Sequence, residues 1–432
     1  MAKATPNDAL PWPRTAAASS PAPSGPSSLP FAARAQLIPG SVIDSSTSLL
    51  QGQSHDIVRF AMGSPAAEAI PAAAFDELAH VALRHGASDA YDYGPTEGEA
   101  GLRSALLDFL EQHGSPTSPE GLLITAGGMQ GLDLACKLFV DRGDLVVVES
   151  PTYTNGTAVI RSYEGELLEV PVDERGMAVE ALPELVAAAG RTPKAVYVIP
   201  NSQNPSGTTL SLERRRLLLE LTARWGAVVI EDDPYGLLRF EGSPLPSLAA
   251  ISGHDPRVVG VYTFSKIVAP GLRVGWVVAD PLIVGRMVDA KQGMDTCTNV
   301  PAQRLLQLFL ERGGMEDHLT RLRTEYRRRK QAMQSALREH FGPAVEFTDP
   351  DGGFFLWVEL PGVVDTTELA GVALEEGVAY IPGPAFTSSG RFSNQLRLCF
   401  ASTAPDRIRE GVRRLRRAVD RLYGPRFGGG SQ

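Results

Sequence analysis

The chain has 432 residues, 43% of them hydrophobic, a formal net charge of −9 and three cysteines. That length accommodates two domains. No apolar run approaches the roughly 18 residues of a membrane span, and a basic nucleic-acid footprint is missing from so acidic a chain, so neither a membrane nor a nucleic acid is an expected partner.

Residues 1–35 are rich in proline, alanine and serine and lack the apolar core of a signal peptide, so they read as a disordered leader. Residues 36–84 are expected to form an N-terminal segment that packs beside a small C-terminal domain. From 85 to 310 apolar strands alternate with amphipathic helices, the sequence form of βαβ units and a mainly parallel sheet sandwiched by helices. Strands are expected at Leu122–Thr125, Leu145–Glu149, Ala195–Ile199, Ala227–Glu231, Val258–Thr263 and Gly275–Val278. Helices are expected at Met129–Val140, Tyr153–Glu164, Leu212–Trp225 and Pro301–Glu311. The arginine-studded stretch His318–Phe341 reads as a connecting helix with a solvated face. Strands Ala344–Thr348, Gly353–Glu359 and Leu396–Phe400, with helices at Asp365–Glu376 and Asp406–Leu422, complete a smaller α+β C-terminal domain over 311–424. Residues 425–432 read as a glycine-rich tail. Cys136, Cys297 and Cys399 are odd in number and lack metal-ligand spacing, which fits reduced thiols in the cytoplasm.

Four chemical positions follow four separate apolar runs. Gly127-Gly128-Met129-Gln130 opens a helix after the first strand, where free N–H groups and the positive end of the helix dipole suit a phosphate. Asn204 follows the strand at 195–199. Asp232, with Asp233 as the competing acid, ends Ala227-Val228-Val229-Ile230-Glu231. Lys266 follows Val258-Val259-Gly260-Val261-Tyr262 and precedes Arg273. Ligands of open α/β sheets sit beyond the carboxyl ends of strands, so these positions converge on one site. A lysine able to form a Schiff base and an acid to hold a pyridine nitrogen are what pyridoxal 5'-phosphate requires of a protein. Arg397, inside an apolar strand, needs a partner for a charge that is costly to bury alone.

The strings Asn201-Ser202-Gln203-Asn204-Pro205, Asp232-Asp233-Pro234-Tyr235, Ser265-Lys266 and Gly271-Leu272-Arg273-Val274-Gly275 resemble the class I/II aminotransferases of pyridoxal-phosphate fold type I. The strings around Gly127, Tyr153, Gly353-Phe354-Phe355 and Arg397 resemble in particular the 2-aminoadipate-aminotransferase and MocR-type branch. The resemblance covers about residues 55–422. It implies a Schiff base on Lys266, which also acts as general base, with Asp232 on the ring nitrogen and Asn204 and Tyr235 on the phenolic oxygen. It implies phosphate ligands at Gly128, Met129, Gln130, Thr263, Ser265 and Arg273, and Tyr153 stacked on the ring. Arg397 would take the substrate α-carboxylate. Tyr93, with Tyr91 competing, would reach the phosphate of the neighbouring subunit of a homodimer. The implied reaction moves an amino group from an α-amino acid to an α-keto acid. Elimination, γ-replacement or cyclisation on an S-adenosylmethionine-like substrate is the alternative within the same pocket. A regulator that senses the cofactor would need a basic winged helix that the leader does not supply. The branch often carries an arginine in a short N-terminal helix against acidic substrate side chains. Ser41–Gly52 has none and offers Asp44, and Met62-Gly63 adds apolar surface and close backbone, so a neutral or cationic substrate is expected over glutamate, aspartate or 2-aminoadipate, unless Arg34 or Arg59 supplies the missing positive charge.

Overall fold

A computed structural model describes residues 30–32, 34–35, 40–41, 43, 45, 54–84, 89–253, 255–312 and 314–424. Most of the expected leader, the tail 425–432 and Asp44 lie outside the described residues. In chain order the strands are β1 (Val58–Arg59), β2 (Leu122–Thr125), β3 (Leu145–Ser150), β4 (Glu166–Asp173), β5 (Gly176–Met177), β6 (Ala195–Val198), β7 (Val228–Asp232), β8 (Val258–Thr263) and β9 (Gly275–Val278). After them come β10 (Glu346–Phe347), β11 (Phe355–Glu359), β12 (Val378–Ala379), β13 (Ile381–Pro382) and β14 (Gln395–Cys399).

Eight strands form one sheet in the order β2-β9-β8-β7-β6-β3-β4-β5. The run from β8 to β4 is parallel throughout. β9 is antiparallel to both neighbours, β8 and β2, so β2 points the same way as the parallel set. Valine, isoleucine and leucine fill β2, β3 and β6 through β9 without polar alternation because helices cover both faces, as parallel sheets require. The fold class is thus α/β, mainly parallel. β4 escapes the sequence reading because Glu166-Leu167-Leu168-Glu169 is only half-buried near the sheet edge and lacks a continuous apolar run.

Helix boundaries follow their caps. Leu212–Trp225 starts where the Ser211 side chain accepts from the Arg214 N–H and stops at Gly226, whose φ of 67° closes the last turn. A second, antiparallel sheet, β10-β11-β14-β13, packs with the helix Thr366–Glu375, which packs in turn on Pro405–Tyr423. The segment before residue 84 divides between two neighbours. β1 pairs with β12, and the Phe60 carbonyl accepts from the Cys399 N–H, beside the small sheet. The helix Ala72–Arg84 instead packs on Val300–Glu311, with Phe75 and Phe309 5.6 Å apart. Among the described residues no helix is long and apolar enough to cross a membrane.

Candidate active site

The carboxyl ends of β2, β3, β6, β7 and β8 open on one cavity, which the small sheet closes with Phe355 and Arg397 and the N-terminal segment with Met62, Gly63 and Ser64. Gly128, Met129, Tyr153, Asn204, Asp232, Tyr235, Thr263, Ser265, Lys266 and Arg273 all line it. These residues lie far apart in sequence, and the parallel topology gathers them because every strand that carries one ends at the same sheet edge.

Lys266 Nζ donates to the Gly63 carbonyl at 2.8 Å. Burial disfavours its ammonium form and brings its pKa down to about 8, so a reactive neutral amine is accessible near physiological pH. Asp232 accepts from the Tyr197 hydroxyl at 2.8 Å. Burial raises its pKa to about 6, with the Tyr197 bond acting the other way, so at neutral pH it is a carboxylate poised to gain from any cation placed before it. Asp233 faces elsewhere: it accepts from Asn201 Nδ2 and the Gly236 N–H, each at 2.8 Å. Tyr235 is buried against Phe354 and Phe355 at ring separations of 5.4 and 5.9 Å.

A cradle for an anion lies at the start of the helix Gly128–Phe139. Gly127 has φ 82°, and a Cβ there would stand 2.5 Å from Arg273 Nη2. A Cβ on Gly275 would stand 2.8 Å from the Gly127 carbonyl carbon. Only glycine lets these backbones and the guanidinium approach so closely. Thr263 Oγ1 donates to Ser265 Oγ at 2.9 Å, and Arg273 Nη1 reaches the same oxygen at 3.4 Å. Free amides, two hydroxyls and a guanidinium therefore converge at a helix N-terminus.

Arg397 is 1% exposed and forms no ion pair among the described residues. Its Nη1 donates to Asn204 Oδ1 at 2.9 Å and its Nη2 to the Ala61 carbonyl at 2.6 Å, while Nε has no partner among the described residues. Its guanidinium lies 4.3 Å from the Phe355 ring centroid. No carboxylate among the described residues answers the charge, which leaves a cation facing the cavity. Asn204, its oxygen engaged by Arg397, keeps its amide N–H groups for a ligand.

Two expected residues stand outside the cavity. Gln130 turns its side chain back, accepting from the Ala126 N–H at 2.7 Å and donating to Asp295 at 2.8 Å. Tyr93 is 82% exposed, and Tyr91 is 68% exposed. One residue that sequence reasoning misses is Tyr197. In Ala195-Val196-Tyr197-Val198 it looks like any core aromatic, and the sole signal is that a buried hydroxyl needs a partner. Gly156 belongs with it, since a Cβ there would lie 2.5 Å from the Tyr197 hydroxyl.

The model of the aminotransferase class I and II family matches residues 56–415. The chain is 39% identical to the 2-aminoadipate transaminase of Thermus thermophilus over 372 residues, 86% of this chain and 92% of that protein. It is 37% identical to aromatic-amino-acid aminotransferase 1 of Thermococcus litoralis over 371 residues, 85% of this chain and 89% of that one. Among solved structures it is similar to the α-aminoadipate aminotransferase of Thermus thermophilus complexed with N-(5'-phosphopyridoxyl)-L-leucine, with a TM-score of 0.83, 39% identity, and 91% and 97% of the two chains covered. The protein belongs to the class I and II aminotransferases, pyridoxal-phosphate enzymes of fold type I. It is a pyridoxal-phosphate-dependent aminotransferase, acting on amino acids and keto acids. The residues in the cavity fit this cofactor: an amine held below its usual pKa, a carboxylate with one oxygen fixed by Tyr197, and a glycine-lined anion cradle in which a Cβ would collide.

Proposed function

We propose that the enzyme transfers the amino group of an α-amino acid with a neutral, apolar or aromatic side chain, working as a cytoplasmic homodimer whose large domain spans 85–310 and small domain 311–424. Bound in the cavity, pyridoxal phosphate supplies a carbonyl carbon for the amino group and an electron sink for the pair left on Cα. Lys266 Nζ would hold the cofactor and would take the proton from the substrate Cα. Asp232 holds the proton on the ring nitrogen, because a close carboxylate favours the charged ring, and Tyr197 positions that carboxylate. Asn204 Nδ2 and the Tyr235 hydroxyl would hold the phenolic oxygen, and Tyr153 would hold the ring. The amides of Gly128 and Met129, with Thr263, Ser265 and Arg273, hold the phosphate. Gln130 acts on that loop indirectly, through Ala126.

Arg397 carries the substrate reading. It is a buried guanidinium without a carboxylate among the described residues, aligned by Asn204 and Ala61 and so ready for the α-carboxylate. Lys266, Arg273 and Arg397 are the cations among the described lining residues. With each engaged, a side-chain carboxylate finds no counter-charge, while Ile43, Met62 and Phe355 offer apolar contact. This agrees with the aromatic amino acids in the name of the Thermococcus relative and not with the 2-aminoadipate of the Thermus one. Asp44, which would add a repulsive charge, lies outside the described residues. A panel of amino donors assayed with a common keto acid acceptor tests this. Aromatic and branched aliphatic donors should lead in kcat/KM, and glutamate or 2-aminoadipate as the best donor would refute it. The exposed Tyr91 and Tyr93 support the dimer, in which Tyr93 reaches the partner's phosphate. Sedimentation should show two chains, and Tyr93→Phe should weaken cofactor retention.

A further inference from the structure

A second cavity adjoins the active site. It has a volume of about 490 Å³, within the range of small-molecule sites. The end of the helix Ala100–Gln112, the loop after Asp233 and the helix Gly314–Phe341 enclose it. Thr263 and Pro234 line both cavities, so the two share a wall. Consecutive acids divide between them, Asp232 facing the first and Asp233 the second.

The second cavity has unanswered donors. Trp276 lines it, is 2% exposed, and its Nε1 has no hydrogen-bond partner among the described residues. Arg239 Nε, also buried, is without a partner in the same sense, although its Nη2 pairs with Asp351 at 2.6 Å. Arg323 donates from Nε to the Leu237 carbonyl at 2.9 Å and forms no ion pair among the described residues. The Asp233 carboxylate is already occupied by Asn201 and Gly236. Two guanidinium groups border this space, that of Arg323 without an ion pair among the described residues, and the indole of Trp276 is buried in its wall. The remaining wall is apolar, from Phe109, Leu110, Leu245 and Ile267.

We propose that this cavity binds a small organic carboxylate with an aromatic or branched apolar body. The anion meets Arg323 and Arg239, and the body lies on the apolar wall. Guanidinium groups recognise carboxylates through charge-assisted bonds, and two of them on one wall disfavour an amine.

The probe is 3-phenylpropionate, which has no amino or keto group and is not turned over, titrated calorimetrically into the holoenzyme. Because Arg397 in the active site also attracts carboxylates, the decisive titration uses the Arg397→Ala holoenzyme. One binding event should persist there. Adding Arg323→Ala should weaken that event by about tenfold or more, the worth of a hydrogen bond to a charged group. Adding Leu245→Trp, which fills the space from a half-buried position, should abolish it. Unchanged melting curves establish that these variants fold. Loss of all binding on Arg397→Ala alone overturns the proposal, as does full affinity retained in either cavity variant. A failed active-site assignment would show instead as Arg397→Ala leaving both binding and turnover untouched.

Discussion

On one side of the active-site cavity, Asp232 ends β7 while Gly128 and Lys266 stand just beyond β2 and β8, strands of a single sheet whose ladders fix their spacing. On the other side, Arg397 is aligned by Asn204, 193 residues away, and by Ala61, 336 residues away. The first arrangement depends on strands of one sheet ending together, and the second on three segments distant in sequence meeting. On the proposed reading, chemistry common to all substrates rests on the sheet, and recognition rests on the contact between those segments. Changes on the sheet side should remove chemistry, and changes on the other side should mainly remove affinity.

The largest effect is expected at Lys266→Ala, with loss of covalent attachment and a fall in turnover of about 10²–10⁴-fold or more, the range for a lost general base. Borohydride reduction of the parent holoenzyme followed by peptide mapping should find the pyridoxyl group on Lys266; label on another lysine breaks the assignment. With that pKa near 8, cofactor capture by the apoprotein should accelerate with pH and level off above about 8, because only the neutral amine attacks.

Asp232→Ala should slow the amino-acid half-reaction with little change in substrate affinity, and Asp233→Ala should be milder. Rapid-mixing absorbance measurements separate the two, and equal damage would show that strand-end position does not choose between neighbouring acids. Arg397→Ala should lower kcat/KM for every amino-acid substrate by about 2–5 kcal/mol, the worth of truncating one side of a buried charge pair. A loss confined to one class of side chain would move Arg397 from the α-carboxylate to the side-chain end.

The smallest effect concerns stability. The folded pKa of Asp232 is raised to about 6 by burial, so the folded state binds the proton more tightly than the unfolded chain does. Its cost is absent below the ordinary carboxylate pKa of 3.8, grows as pH rises through the interval to about 6, and is complete above it. Asp232→Asn should thus stabilise the apoprotein at pH 7 by roughly 1–3 kcal/mol and bring no gain near pH 4. Denaturant melts at the two pH values measure this, and an equal gain at both would place its origin outside the titration.

The two sides also differ in how plainly the sequence displays them. β2, β8 and β9 and the helix Leu212–Trp225 coincide with the residues expected from apolar runs and caps, because a strand buried on both faces leaves an unbroken hydrophobic string. Lys266, Asp232 and Asn204 become legible through their place at the ends of such strings. Gln130 shows the limit: its partner Asp295 is 165 residues away, and a glutamine beside a glycine turn carries no sign of which way it folds. Tyr197 is hidden for the same reason, since its bond to Asp232 spans neighbouring strands. The pairing of β1 with β12 is two residues on each side, too short for any periodicity to announce.

β9, the reversed strand inside the parallel set, turns the chain back so that Arg273 returns to the edge from which Lys266 departs. The pairing of Thr263 with Gly275 fixes both ends of the span between them, and Arg273 bends within it at a φ of 53°. The span behaves as a cassette of set length. Substitutions inside it can retune the grip on an anion one contact at a time. A single inserted or deleted residue would break the ladder or carry the guanidinium away from the Ala126 carbonyl beside the cradle. Diversification of this enzyme by gain or loss of residues is therefore open to its surface turns and closed to the stretch from 264 to 274.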